Sequence, residues 1–332
     1  MRRSVAVCIV NWNGGDLIRQ CIRSVRGGRD LHREVVVVDN ASRDGSPDRI
    51  ALEFPDVRLI RNRENIGFAR ANNQMLRQLT ADYFLLLNPD AVLMPGALER
   101  MVEFMDAHPR AGACSPLVVD ESGGDQWVPT RFPTVWGELC YCATFLLAPL
   151  SWVLCRWRAY GRERVWRSVC GDGRQGIRVD VLNGACLLVR RQALVQIGPL
   201  EERFFLFSEE ADWCRRMQLA GWGRYWIPSA TVVHLVGRSR AHLPEASGAV
   251  HFYRSRVLLF AIHRGRLQAE IVHSLYRLSW RWNILVGMVG GMVRPGRRAA
   301  DERIAHYRTL ASELSRSDGD THRIGRQTRQ VR

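Results

Sequence analysis

Lysine is missing from the chain: all 48 basic side chains are arginine. So one-sided a total reads as a coding bias, and a single arginine carries little functional information by itself. Paired cysteines are missing as well. The nine cysteines are dispersed, with no C-x-x-C and no spacing suited to zinc. An odd, scattered set in apolar surroundings, as at Cys8, Cys114 and Cys186, is expected as reduced core thiols in a cytosolic compartment. G-x-x-x-x-G-K-[ST] does not occur, and G-x-G-x-x-G occurs once, at Gly171-Asp172-Gly173-Arg174-Gln175-Gly176, ahead of a strand-like run and not between a strand and a helix, so neither common glycine cradle for phosphate is signalled. A bound nucleotide would then rely on acids and a metal. Arg2-Arg3 and a short apolar run broken by Asn11 and Asn13 are too short for a signal-peptide core and read as a first strand. Leu139 to Cys155 carries no charge, but Pro149 interrupts it. It falls at the lower limit for a membrane span, so a buried helix or an interface-lying hairpin is expected. No internal repeat or low-complexity segment is present.

What the chain does have is ordinary globular material: 332 residues, 46% hydrophobic and 24% charged, enough for one large domain or two. Its net charge of +15 favours anionic partners such as phosphates, nucleic acid or acidic lipid. Between His251 and Arg332, 16 arginines face 6 acids, so ten of those fifteen charges lie in the final quarter.

Strands and helices alternate at short intervals from the start. Ser4–Val10, Glu34–Asp39, Val57–Ile60 and Tyr83–Leu87 read as strands, with helical patterns after Gly15, Gly45, Gly67 and Pro95. That order predicts an α/β fold with a doubly wound, mainly parallel sheet flanked by helices. Tyr83-Phe84-Leu85-Leu86-Leu87 is continuously apolar, as in a strand buried on both faces. Pro89 has no N–H for the ladder, which leaves Asp90 just past a central strand's carboxyl end, where ligands bind in open α/β sheets. An acid there can hold a divalent cation on a diphosphate; the same Asn-Pro-Asp can equally be a turn leaving the sheet. Asp39 ends the second strand and is placed either to meet a base or ribose or to cap the next turn. Ser208 precedes Glu209, Glu210 and Asp212 at a helix start, so these acids can serve the helix N-terminus. A carboxylate beside the bulk of Phe204, Phe205 and Phe207 also suits a general base. His234 ends a later strand, as a structural histidine or a metal ligand.

Together these segments resemble glycosyltransferase family 2, and within it the bacterial rhamnosyltransferase-like members. The matching motifs are Ile9-Val10-Asn11-Trp12-Asn13, Val38-Asp39-Asn40-Ala41-Ser42, Asn65-x-Gly67-Phe68-Ala69-x-Ala71-Asn72, Leu87-Asn88-Pro89-Asp90, Asn183-Gly184-Ala185, Phe205-x-x-Ser208-Glu209-Glu210-x-Asp212 and His234 in His-x-x-Gly-x-Ser. The resemblance covers roughly residues 4–240 and implies a GT-A fold, a nucleotide-sugar donor, a divalent cation (Mg2+ or Mn2+) and inversion at the anomeric carbon. It implies donor contacts from Asn11, Asp39, Asn65, Gly67, Asn72, Asn88 and Asp90, with Asp90 and His234 on the metal. Asn88 stands where the family's D-x-D motif has its first acid. The base role falls to Glu210, in a Glu-Glu pair where the family has Glu-Asp, with Asp212 beside it. Asn183, Gly184, Glu209 and Trp213 are expected on the acceptor side.

The expected organisation is a catalytic domain over 1–240, with a nucleotide-binding half to about 120 and an acceptor-binding half beyond it. A helical, membrane-associating extension follows over 241–316, then a disordered basic tail over 317–332. Trp280-Arg281-Trp282, the apolar run Asn283–Val293 and Arg294-Pro295-Gly296-Arg297-Arg298 suit an anchor on an anionic membrane surface. The expected partners are therefore a nucleotide-sugar donor, a saccharide acceptor that is lipid-linked, and the inner face of the cytoplasmic membrane. A nucleic-acid partner is not expected, since the arginines are spread among tryptophans and leucines without a reading motif. A nucleotidyltransferase or sugar-nucleotide-modifying enzyme on a similar sheet is the alternative. Nothing in the sequence signals an oligomeric state.

Overall fold

The computed structural model describes residues 2–27, 31–126, 131–146, 176–235 and 245–293. The expectations for the second half of the charge-free stretch, for the basic cluster after Val293 and for the tail fall outside them. The chain divides into two units, one of Met1–Phe132 with Val165–His242 and one of Pro133–Arg164 with Leu243–Arg332. Of the range assigned from sequence to the acceptor-binding half, the described residues 133–146 group with the C-terminal helices instead.

The first unit begins β1 (Arg3–Asn11), α1 (Leu17–Ser24), β2 (Leu31–Asp39), α2 (Ser46–Glu53), β3 (Arg58–Arg61), α3 (Phe68–Gln78) and β4 (Tyr83–Leu87). Strand β1 pairs in parallel with β2 and β4, and β2 with β3. All five residues of β4 are buried. Tyr83, Leu85 and Leu87 enter the core on one face, and Phe84 and Leu86 the core on the other. The period of two explains the unbroken apolar run: both faces are covered. Each such side chain contributes roughly 1.5–3 kcal/mol on burial.

Past β4 the chain reverses. A short β5 (Ala91–Leu93), α4 (Ala97–Ala107), β6 (Ala111–Val119), β7 (Ile177–Arg178), β8 (Cys186–Arg190), α6 (Arg191–Ile197), α7 (Glu209–Leu219) and β9 (Gly223–His234) complete the unit. The sheet order is β3-β2-β1-β4-β8-β6-β9-β5, with β7 on β9. The parallel part is the N-terminal half, joined by β6 with β9; β8 runs antiparallel to both β4 and β6. Because β8 is reversed, the loop that precedes it lies beside the carboxyl end of β4, at the register Leu87↔Cys186. Strand β5 runs antiparallel to β9 at Ala91↔His234. Those two registers bring distant motifs to one end of the sheet.

The second unit holds α5 (Val135–Leu146), α8 (Glu245–His263) and α9 (Arg266–Val293). Its core joins Val250, Tyr253, Phe260, Val272, Tyr276 and Trp280 with Cys142. Tyr276 donates a 2.7 Å hydrogen bond to Glu138, whose carboxylate also meets Arg256 at 3.3 Å. Among the described residues no helix is long and apolar enough to cross a membrane.

Candidate active site

At the carboxyl ends of β1 and β2, Asn11 and Asp39 are register partners and both are buried. Asn11 Nδ2 donates to Asp39 Oδ1 at 2.7 Å and to Ser46 Oγ at 2.9 Å. Asp39 also accepts from the Ser42 amide at 3.0 Å and the Ser42 hydroxyl at 2.6 Å. Asn11, expected on the donor, thus fixes Asp39 through its amide N–H groups, while its buried Oδ1 has no hydrogen-bond partner. A Cβ at Gly14 would lie 2.4 Å from that oxygen, so the turn after β1 needs glycine to pass this close. Asp44 is a supporting residue that the sequence did not single out. Burial opposes its charge, but bonds from Ser46 and the Gly15 amide hold its carboxyl below the usual range.

Asn65 Oδ1 accepts from the Gly67 amide at 3.0 Å and from Asn40 Nδ2 at 3.2 Å. Gly67 has φ +86°, and a Cβ on it would meet the Phe205 carbonyl oxygen at 2.7 Å. The next amide, of Phe68, donates to that same carbonyl at 2.8 Å. Asn73 then exchanges bonds of 2.8 and 3.0 Å with the backbone of Leu200. Asn72 bonds back to the Phe68 carbonyl at 3.0 Å, its buried Oδ1 unpartnered. In this motif, Asn65 and Gly67 join the loop expected on the donor to the loop that carries the acids.

That acidic loop ends on two consecutive left-handed residues, Phe207 at φ 71° and Ser208 at φ 65°. Ser208, which can cap a helix by residue type, makes no side-chain cap here: its left-handed backbone takes the hydroxyl away from the first-turn amides. Helix α7 then separates its acids by depth. Glu210 is half-buried, and the place of a Gly184 Cβ lies 3.7–3.8 Å from its side chain. Glu209 is buried with Oε2 unpartnered. Burial, reinforced by the charge of Glu210, pushes its carboxyl well above the usual range. Asp212 is buried and bound to Arg216 through bonds of 2.9 and 2.7 Å. Arg216 in turn donates to the carbonyls of Ile197 and Pro199.

Three expected roles change as a result. Asp212 ties α7 to the segment after α6 rather than facing a substrate. Trp213 is fully buried in the core with its indole N–H on the Gly198 carbonyl at 2.9 Å, so it is not an acceptor contact. Glu209 is enclosed beneath Glu210 rather than open to an acceptor.

The remaining motifs converge through the two reversed strands. The Asn88 amide donates to the Ala185 carbonyl at 2.9 Å, and Asn183 closes its own turn onto the Ala185 amide at 2.8 Å. Asp90 is buried, with Oδ1 3.1 Å from His234 Nε2. Asn88 Nδ2 lies 3.4 Å from the same ring nitrogen. Gln126, absent from the sequence-derived set, donates its amide N–H to the His234 carbonyl, which fixes the amide's orientation. Its Oε1 lies 3.1 Å from His234 Nδ1, an acceptor for a proton carried on that nitrogen. With the ring proton on Nδ1, Nε2 presents its lone pair beside the Asp90 carboxylate.

That arrangement fits a divalent cation. A proton on Nε2 makes this 3.1 Å contact a hydrogen bond to Asp90; without it, the lone pair and the carboxylate oxygen are spaced as two neighbouring ligands of one divalent cation would be. Among the described residues no group of three or more His, Cys, Asp or Glu could hold a metal. Asp90 and His234 would be its two protein ligands, with further oxygens from the donor or water.

Residues 6–170 match the family described as Glycosyl transferase family 2. The chain is 29% identical over 281 residues to the N-acetylglucosaminyl-diphospho-decaprenol L-rhamnosyltransferase of Mycobacterium tuberculosis, covering 81% of this chain and 88% of the relative. It is 22% identical over 238 residues to the rhamnosyltransferase WbbL of Escherichia coli K12, covering 69% and 83%. The solved mannosyltransferase PcManGT of Pyrobaculum calidifontis, in complex with GDP-Man and Mn2+, superposes at a TM-score of 0.55 with 18% identity, over 95% of this chain and 85% of that one. The mixed sheet with its flanking helices is thus the GT-A fold, and the chain belongs to glycosyl transferase family 2.

Proposed function

We propose that this glycosyltransferase inverts the anomeric centre as it moves a hexose from a nucleoside-diphosphate sugar to a hydroxyl of a lipid-linked saccharide. Rhamnose from dTDP-rhamnose is the donor we favour, because similar proteins are named rhamnosyltransferases. The lipid-linked acceptor follows the decaprenol of the mycobacterial relative's name. The reaction would take place at the inner face of the cytoplasmic membrane.

The observation that carries this reading is the convergence of Asp90, His234 and Gln126 on one side and Glu210 beside Gly184 on the other. Hydrogen bonding joins the two sides through Asn88 and Ala185. Glu210 takes the proton of the acceptor hydroxyl as its oxygen bonds to C1 of the sugar. The bond from C1 to the diphosphate oxygen breaks, and the nucleoside diphosphate leaves from the opposite face. A cation held by Asp90 and His234 would neutralise charge on the departing diphosphate. Burial and the charge of Glu210 shift enclosed Glu209 toward its protonated form, which lowers the negative charge beside the base. Asp39, held by Asn11 and Ser42, offers its carboxylate to the ribose or base.

The test is a donor screen of dTDP-, UDP- and GDP-sugars with Mg2+ or Mn2+, with and without a polyprenyl-diphosphate saccharide in detergent. Nucleoside diphosphate should appear only when the acceptor is supplied, and the product should carry the inverted anomer. Diphosphate release without an acceptor, or nucleotidyl transfer to a sugar phosphate, would defeat the proposal.

A further inference from the structure

Helix α9 has two apolar sides where a helix in a hairpin needs one. Val272, Tyr276 and Trp280 face the core of the second unit. On the other side Leu267, Ile271, Leu278, Trp282 and Leu285 are exposed, Leu267 by 75% and Leu278 by 58%. At 100° per residue these five fall within a band of about 60° that runs about 27 Å along the axis. A shallow groove lined by Ile271, Leu275 and Leu278 opens on it. Arg266, Arg277 and Arg281 follow one edge of the band by the same geometry. The single acid there, Glu270, lies 3.7 Å from Arg266.

From this pattern we infer that α9 lies in the plane of an anionic lipid leaflet, with Leu267, Ile271, Leu278 and Leu285 among the acyl chains and Trp282 at headgroup depth. The band is apolar enough to enter the leaflet, yet the helix does not span. An arginine edge beside it meets lipid phosphates, and an amphipathic indole prefers that depth. Charge also selects against a second copy of the chain as occupant. An antiparallel two-fold pairing through this band would set the arginine edge against itself.

This inference rests on the membrane acceptor proposed above, but its test uses no sugar. The full chain is sedimented with vesicles of phosphatidylcholine alone and of phosphatidylcholine with phosphatidylglycerol. Binding should require the anionic lipid and weaken with salt. Leu278→Gln with Leu285→Gln should lower partitioning roughly tenfold or more. Arg277→Gln with Arg281→Gln should lower it roughly tenfold and flatten the salt dependence. Quenching by brominated lipid should fall in Trp282→Phe. Circular-dichroism melts check that each variant is folded. Sedimentation unchanged by both double variants, or absent with anionic vesicles, overturns the inference. So does a dimer in solution that Leu278→Gln dissolves. Sugar transfer in detergent without vesicle binding would sink the docking face alone; vesicle binding without transfer would sink the proposed chemistry alone.

Discussion

Asp212→Asn and Glu210→Gln should separate two neighbouring acids of α7 by opposite readouts. Asp212 is 1% exposed and receives two charged bonds from Arg216, at 2.9 and 2.7 Å. Hydrogen bonds to charged groups contribute about 1.5–3 kcal/mol, and breaking a well-buried pair from one side costs about 3–5 kcal/mol. Two features reduce the loss here. The Arg216 side chain is 25% exposed, so water takes over part of its solvation, and it keeps the carbonyls of Ile197 and Pro199. An asparagine also retains one neutral acceptor. A loss of about 2 kcal/mol follows, which for a cooperative unit of this size lowers Tm by roughly 4–8 °C. Turnover per folded molecule should barely change, because Asp212 touches no open surface. Glu210→Gln should do the reverse, leaving Tm in place while kcat falls by about 10²–10⁴, the contribution expected of a general base. Calorimetry and an acceptor-dependent nucleoside-diphosphate assay on the same preparations supply both numbers. A folded Asp212→Asn protein without activity, beside a Glu210→Gln protein near normal turnover, would refute the assignment of depth to role.

Gly67→Ala should cost stability by about 1–3 kcal/mol or more, since its φ is +86° and the new methyl would meet the Phe205 carbonyl at 2.7 Å; the denaturation midpoint measures it. Gln126→Leu should weaken Mn2+ binding about 10–100-fold, as loss of a residue that orients a ligating histidine does. Paramagnetic titration reads the affinity, and 15N NMR should show a changed distribution of the proton over the His234 ring nitrogens. Glu209→Gln should alter stability in a pH-dependent way. The folded carboxyl is raised well above the usual range by burial and by Glu210, so the unfolded state ionises first and wild-type stability falls as pH rises above the ordinary carboxylate pKa. The amide has no such slope, so its Tm advantage over wild type should grow from pH 5 to pH 8; an advantage that shrinks would contradict the buried, protonated state.

The sheet was legible because burial on both faces writes itself into continuous runs such as Tyr83–Leu87, and strand-end residues such as Asp39 and Asp90 follow directly. The alternation of strands and helices also announced the parallel half. Antiparallel β8 was not announced, since direction is set by which partner a strand finds and not by its own apolar pattern. Depth was not legible either. Glu209, Glu210, Asp212 and Trp213 are close neighbours on one helix, and only their packing against Gly184, Arg216 and Gly198 separates them. Gln126 left no signal at all: it reaches His234 across 108 residues from a turn with no motif of its own.

Strain marks the corner before α7 as something more than a turn. Phe207 and Ser208 sit at φ 71° and 65° in succession, and a left-handed L-residue costs roughly 1–2 kcal/mol. Such a pair persists only where its surroundings over-determine it. Here Phe204 is fully buried on one side, and Phe205 is clamped by Gly67 and the Phe68 amide on the other. The serine hydroxyl returns no cap bond to offset the cost. Glycine at this position would remove the steric penalty while keeping the backbone path. Ser208→Gly should therefore raise Tm by roughly 2–4 °C, the shift about 1 kcal/mol gives in a unit of this size. It should not raise turnover, because the freed corner places Glu210 less firmly than the strained one does. A fall in Tm would mean that the Ser208 side chain contributes an interaction larger than the strain, and that the corner is held for stability and not for the base.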